Sequence, residues 1–314
     1  MKKIIASTLL LSLFPTAYAW DFGAKASIQT AQTDNVNSTN TNSSTTAPIS
    51  ETYRTYGGYV QAKNQFLKFK LKAKTEKYSK EKDNDNYSAD LSAQYKETKE
   101  SEFTLGAFTQ KYNGATLTPS TSATTSDNYG ARVSATFSKE YDRSASGYFS
   151  ITSNSKKYNK LSRTDNTFGA TFGLEYNVSS TLMINPELGI SNVSSSQTGI
   201  TTYAKSYYSN FSYGPSIVIS FTPNDDWEFF VDASYGYTKY SSRDITSIVK
   251  GKTQKTFQYQ ELTNSDAGVV YSFASAFSLQ AKYSMGKNTS NDHSSSSDPS
   301  YKAKILSFDL SIKI

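Results

Sequence analysis

Seven charged residues stand out because their spacing could build an electric field. Lys68, Lys70, Lys72 and Lys74 recur at every second position, which in an extended chain puts all four ammonium groups on one face. Glu187, Asp232 and Asp266 lie much further along, each inside a stretch of alternating polarity. A row of cations facing a group of carboxylates across water would orient dipolar solutes and tune ion preference. The chemistry open to such an arrangement is electrostatic rather than covalent.

Residues suited to covalent chemistry are scarce. The one histidine, His293, sits in Asn291-Asp292-His293-Ser294-Ser295-Ser296-Ser297, a polar tract with no third residue to orient a Ser–His pair. The motif context of the outer-membrane phospholipases, proteases and palmitoyl-transferases, which use histidine, is missing. Asp83-Asn84-Asp85-Asn86 offers hard oxygen ligands but lacks the glycine and terminal glutamate of a calcium loop, so it reads as a charged loop tip. No glycine-rich turn precedes a helix to cradle phosphate. These readings point away from an enzyme and call for no cofactor and no metal.

Composition narrows the class further. With no cysteine, neither a lipid-anchored start nor a disulfide framework is available. Hydrophobic residues are only 36%, while Tyr (24) and Phe (18) are abundant, which suits a protein that is wet inside and apolar on one outer band. Lys2 and Lys3, the apolar run Ile4 to Phe14, and Ala17-Tyr18-Ala19 read as a secretory signal over residues 1–19, leaving 20–314 as the mature domain. The formal charge of +6 falls to +4 when those two lysines are removed. Spread over strands and without a module signature, it gives no reason to expect nucleic acid. No stretch approaches the roughly 20 apolar residues of a spanning helix.

The elements that must position the charges are strands. Leu67, Phe69, Leu71 and Ala73 alternate with the lysine row, and the same one-sided pattern recurs at Tyr87 to Tyr95, Tyr129 to Phe137, Phe168 to Tyr176, Trp227 to Tyr235 and Phe277 to Tyr283. Fourteen strands result: Trp20 to Thr30, Tyr53 to Lys63, Phe66 to Tyr78, Tyr87 to Tyr95, Phe103 to Tyr112, Tyr129 to Ser138, Ala145 to Ser153 and Asp165 to Tyr176. They continue with Leu182 to Asn192, Tyr207 to Thr222, Trp227 to Tyr240, Phe257 to Phe273, Phe277 to Gly286 and Ala303 to Ile314. A soluble all-β protein would carry apolar residues on both faces of some strands, and the patterns here are one-sided.

Connections alternate between short turns, such as Lys139 to Ser144, and long polar stretches, such as Ala31 to Thr52, Ser241 to Thr256 and Lys287 to Lys302. That is the asymmetry of bacterial barrels, with short periplasmic turns and long outer loops. Aromatic residues such as Tyr95, Phe137, Trp227 and Phe273 mark one end of the apolar face, and Tyr87, Tyr129 and Phe168 the other. Pro186 and Pro215 inside strands predict bulges or a register offset. Glu261 and Lys239 fall on the apolar side and predict strands that project above the bilayer.

The expectation is an all-β, closed, antiparallel, up-and-down transmembrane barrel of about fourteen strands in the outer membrane of a Gram-negative cell, both termini periplasmic. Its inward parity collects Lys25, Lys68, Lys70, Lys72, Lys74, Asp90, Arg132, Glu187, Asp232, Asp266 and Lys282 as pore-lining candidates. The basic third strand would face the acidic ninth, eleventh and twelfth strands, each wall offsetting the other.

In strand number and lack of a plug the chain resembles the monomeric fourteen-stranded porins, over its mature length and at the level of architecture. The final strand, with Leu306, Phe308, Leu310, Ile312 and Ile314 on one face, resembles the assembly signal of outer-membrane proteins, although it ends in Ile where an aromatic is usual. The resemblance implies a passive channel for ions or small polar solutes, with outer-membrane lipids, lipopolysaccharide and the barrel-assembly machinery as partners. The alternative is a non-conducting surface-display, adhesion or structural barrel whose Ser/Thr/Asn-rich loops carry the function.

Overall fold

Every segment of alternating polarity becomes a strand in the computed structural model, which describes residues 20–34, 50–80, 84–112, 127–158, 163–197, 208–249, 252–292 and 300–314. Residues 1–19, expected to form a secretory signal, and His293 lie outside the described residues. The strands are β1 (Asp21–Thr33), β2 (Glu51–Lys63), β3 (Leu67–Tyr78), β4 (Asn86–Lys96), β5 (Ser101–Tyr112), β6 (Asn128–Glu140) and β7 (Ala145–Tyr158). After them come β8 (Arg163–Asn177), β9 (Leu182–Gln197), β10 (Asn210–Asn224), β11 (Trp227–Val249), β12 (Lys252–Ala274), β13 (Phe277–Ser290) and β14 (Tyr301–Lys313). Each pairs antiparallel with its neighbours in sequence, and β14 returns to β1 to close the ring.

Closure runs from Lys25↔Lys313 to Thr33↔Ile305 and is finished by Ala24 and Ile314 exchanging backbone hydrogen bonds at 2.7 and 2.8 Å. Among the described residues the sheet therefore has no free edge strand, as a chain embedded in hydrocarbon requires.

The faces are inverted relative to a water-soluble domain. Among the described residues the buried apolar side chains are Ala31 and Tyr158, whereas Leu71 (46% exposed), Leu105 (64%) and Phe308 (51%) stand on the outside with the rest of the apolar face. Outward aromatics form bands: Phe221, Phe229, Trp227, Tyr271, Phe273 and Phe277 touch in succession at 4.5–6.3 Å between ring centroids, at the end that carries both termini.

Short turns at that end are built from single side chains that mimic backbone. Asn64 accepts from the N–H groups of Phe66 and Leu67 at 2.9 and 2.8 Å, Asp142 from Ser144 and Ala145 at 2.7 and 2.8 Å, and Asn224 from Asp226 and Trp227 at 3.0 and 3.1 Å. The Ser144 hydroxyl and N–H also hold the exposed Asp142 carboxyl below the usual aspartate range.

Two expectations are corrected. Ser241 to Thr256 is largely ladder: β11 runs to Val249 and β12 begins at Lys252, with a register shift between Lys239 and Asp244. Ile245, Thr246, Ile248, Val249 and Thr253 are β-branched and favour the pleat over a loop. Both strands therefore continue past Lys239 and Glu261, as residues of that charge on the apolar parity demand.

Pro186 and Pro215 produce no register offset. Pairs on β8–β9 skip from Gly173↔Glu187 to Tyr176↔Ile184 and on β10–β11 from Tyr213↔Tyr237 to Ser216↔Ser234, with the register unchanged on either side. Each proline keeps its pairing with the other neighbour, Ile217↔Pro186 and Pro215↔Leu188. The missing donor opens a gap of two partner pairs in each ladder, and the flanking pairs hold the alignment.

The opposed faces of β3 give a direct test. Leu71→Arg should destabilise the barrel by ~2–4 kcal/mol because it places a charge in lipid, whereas Lys72→Leu on the other face should cost much less. Reversible unfolding in bilayers measures both, and equal costs would show that the assignment of faces is wrong.

Candidate functional site: the inward face

Direct cross-strand partners in an antiparallel sheet share a face, so the ladder register locates each candidate. Lys25 partners Tyr59, and Tyr59 partners Lys72, which places β1, β2 and the β3 lysine row on one surface. Lys70 partners Ser92, Ser92 partners Gly106 and Gly106 partners Arg132, which extends that surface through β4 and β5 to β6. Asp232 partners Asp266, which partners Ser284 on β13. This surface is opposite the exposed apolar residues and encloses the lumen.

Several candidates are joined by contacts. Arg132 Nη1 and Nη2 bind Asp90 Oδ2 and Oδ1 at 2.5 and 2.8 Å, a bidentate pair between β6 and β4. Lys282 Nζ lies 2.9 Å from Asp266 Oδ2, and Lys74 Nζ lies 2.5 Å from Glu76 Oε1. Glu187 accepts from the Tyr148 hydroxyl and from Ser216 Oγ at 3.4 Å. Lys70 Nζ sits 3.7 Å from the centre of the Tyr59 ring, a cation–π contact. Lys25, Lys68, Lys72 and Asp232 stand on the same face without joining these pairs.

Two of these contacts pass over glycine. Arg132 reaches Asp90 by crossing β5 at Gly106, where an added Cβ would come within 3.0–3.2 Å of the Arg132 side chain. Tyr148 reaches Glu187 by crossing β8 at Gly173, whose Cβ would collide with the Tyr148 ring. Lying flat on a glycine keeps a long side chain against the wall instead of across the lumen.

A cavity of about 520 Å³ inside the barrel is lined by Tyr53 and Tyr78 together with Asp232, Asp266 and Lys282. The tyrosines stack at 5.0 Å at the loop end of β2 and β3. That rim is pinned by Glu51, only 2% exposed, which accepts from the N–H groups of Thr52, Ser79 and Lys80 at 3.0–3.1 Å. Asp85 of the acidic tip is engaged in the same rim, accepting from Tyr78 N at 2.7 Å and from Lys77 Nζ at 3.1 Å. Asp83 lies outside the described residues.

The ladder adds members that parity counting overlooked. Lys63 partners Lys68, and Lys313 partners Lys25, so both terminal lysines of their strands join the basic surface. A second cluster at the loop end has Arg163 paired with Asp165 at 2.5 Å and set 3.6 Å from the Tyr208 ring, with Arg243 3.7 Å from Tyr240. Lys313 was within reach of the sequence, because Ile312 and Ile314 fix its parity. Arg163 and Arg243 lie beside loop-like polar stretches where alternation fades.

No family model and no curated protein matches the sequence. Among solved structures, a bacterial polysaccharide outer membrane secretin aligns with a TM-score of 0.56 at 10% identity, covering 93% of this chain and 98% of that one. The fold is that of an outer-membrane β-barrel, fourteen antiparallel strands closed on themselves. The outer membrane channel DcaP of Acinetobacter baumannii (TM-score 0.48, 11% identity, 96% and 99% covered) and an anion-selective porin from Comamonas acidovorans (0.47, 8%, 95% and 100%) are also similar. At such identities the likeness to this barrel is one of fold.

The Arg132–Asp90 pair is partly solvated, so a double-mutant cycle with Arg132→Ala and Asp90→Ala should give a coupling of about 1 kcal/mol. Gly106→Leu should abolish that coupling by blocking the path of Arg132 across β5. A coupling that survives in the Gly106→Leu background would contradict the crossing.

Proposed function

We propose that this porin-like barrel is a passive outer-membrane channel for ions and small polar solutes, with both termini in the periplasm and the long connections outside. The observation that carries the reading is the polar inner face. Along all fourteen strands the side chains opposite the lipid-facing residues are dominated by Ser, Thr, Asn, Gln and charged groups, and the longer ones we located lie along the wall. A fourteen-stranded ring is wider than the eight strands that side chains alone can fill, so its interior holds water. Water in turn solvates the polar ends of Lys25, Lys68, Lys72 and Asp232 there.

In this reading Lys25, Lys68, Lys70, Lys72, Lys74, Asp90, Arg132, Glu187, Asp232, Asp266 and Lys282 line the path, and the solute is screened by size and charge. The exposed lysines Lys111 and Lys157, cross-strand partners of Tyr87 and Tyr129, stand on the outward parity at the loop end and lie off this path.

Purified protein inserted into planar bilayers should give stable ohmic conductance steps. Folded, inserted protein that passes no current would remove the channel reading and favour a structural or surface-display barrel. Orientation has its own test on intact cells. A cysteine placed at Ser50 or Asn291 should react with a membrane-impermeant thiol reagent, and one at Arg143 should not; the reverse pattern would invert the barrel.

A further inference from the structure

The terminal end of the lumen carries an arrangement that is costly for a protein standing alone. Lys25 on β1 is the direct cross-strand partner of Lys313 on β14, and Lys63 on β2 is the direct partner of Lys68 on β3. Like charges directly opposite one another in an antiparallel sheet repel and destabilise it. Lys70 and Lys72 continue the row on β3, and Lys70 is within Coulombic reach of Lys25, Lys68 and Lys72. Tyr59 lies between the strands, a register partner of both Lys25 and Lys72, with the Lys70 ammonium over its ring.

Carboxylates on this stretch of wall are few. Asp21 partners Lys63, and Asp309 shares the face of Lys25 on β14. Asp90 is the cross-strand partner of Lys72 but is held by Arg132, and further round the ring Asp266 is held by Lys282 and Glu187 by the Tyr148 and Ser216 hydroxyls, which leaves Asp232 on the far wall. The acidic wall therefore does not offset the basic one, as an even balance of the two would need.

We propose that Lys25, Lys63, Lys68, Lys70, Lys72 and Lys313 form a binding subsite for multivalent oxyanions, small solutes bearing two or more phosphate or carboxylate groups. The inference rests on the lumen being open to solutes, and it names the class of solute the channel favours. Alternate residues on β3 are about 6.8 Å apart, so neighbouring lysines can hold separate oxyanion groups of one solute. Lys25 and Lys313 flank it from β1 and β14, on the other side of β2. A bound polyanion converts two repelling pairs into bridged ones, which is the physical reason such a register can be kept. Monovalent anions would be concentrated there but not held, because a single charge cannot span the pairs.

Inorganic tripolyphosphate is the probe. Isothermal titration calorimetry on the folded, detergent-solubilised protein should show saturable binding that exceeds that of monophosphate. Binding should weaken tenfold or more in a Lys25→Gln/Lys313→Gln variant and in a Lys68→Gln/Lys70→Gln variant. A Lys111→Gln/Lys157→Gln variant loses the same charge from the outward face and should bind as the wild type does. Without anion, the two lumenal variants should unfold at higher denaturant than the wild type, since each removes a repelling pair.

In planar bilayers, micromolar tripolyphosphate should reduce the current of the wild type and not that of the lumenal variants. Absence of binding, or equal weakening in the outward control, would overturn the subsite. Conductance without tripolyphosphate binding would keep the channel and discard the subsite. Lysine-dependent binding to a protein that passes no current would keep the subsite and discard the channel.

Discussion

Everything in this molecule depends on the rule that backbone polar groups in hydrocarbon must pair within the protein. A sheet can obey that rule only by closing, and the β1–β14 ladder does so here down to the exchange between Ala24 and Ile314. Closure fixes two surfaces of opposite solvent. Period-two alternation then sends Leu71, Val133 and Phe308 to the outer face and Lys72, Arg132 and Ser307 to the inner one, and among the described residues the buried apolar side chains are only Ala31 and Tyr158. Stability comes from the ladder and the lipid-facing surface, so the inner wall is free to carry charge.

That freedom is used in two ways. Around β4 to β9 the charges are tied down by partners two strands away, with glycine making the crossing possible at Gly106 and Gly173. From β14 through β3 lysine follows lysine across the ladder. The first arrangement holds side chains against the wall and limits how far they intrude. The second leaves lysines in excess of the nearby carboxylates Asp21, Asp90 and Asp309, a surface that attracts anions from the solvent.

Much of this was legible in the sequence, for a physical reason: one-sided alternation is a constraint that each strand obeys separately, so each can be read alone. All fourteen strands and the outward aromatic band follow from it. Where alternation and turn signals conflict, sequence reading fails. The Ser241 to Thr256 stretch is polar enough to resemble a loop, yet its β-branched residues extend β11 and β12. Pro186 and Pro215 suggest offsets that flanking pairs suppress. Which charges meet which, as in Arg132 with Asp90, depends on register across separate hairpins. No local pattern encodes it.

The central claim is that this ring separates lipid from water residue by residue, and the most direct measurement is thiol accessibility along β3. The protein has no native cysteine, so single replacements from Leu67 to Lys74 report one position each. In protein reconstituted in vesicles, a small charged thiol reagent should react at positions 68, 70, 72 and 74 and spare 67, 69, 71 and 73. Uniform protection would mean a plugged or collapsed interior, and uniform reaction would mean that β3 is not in a membrane wall; either result would contradict the account.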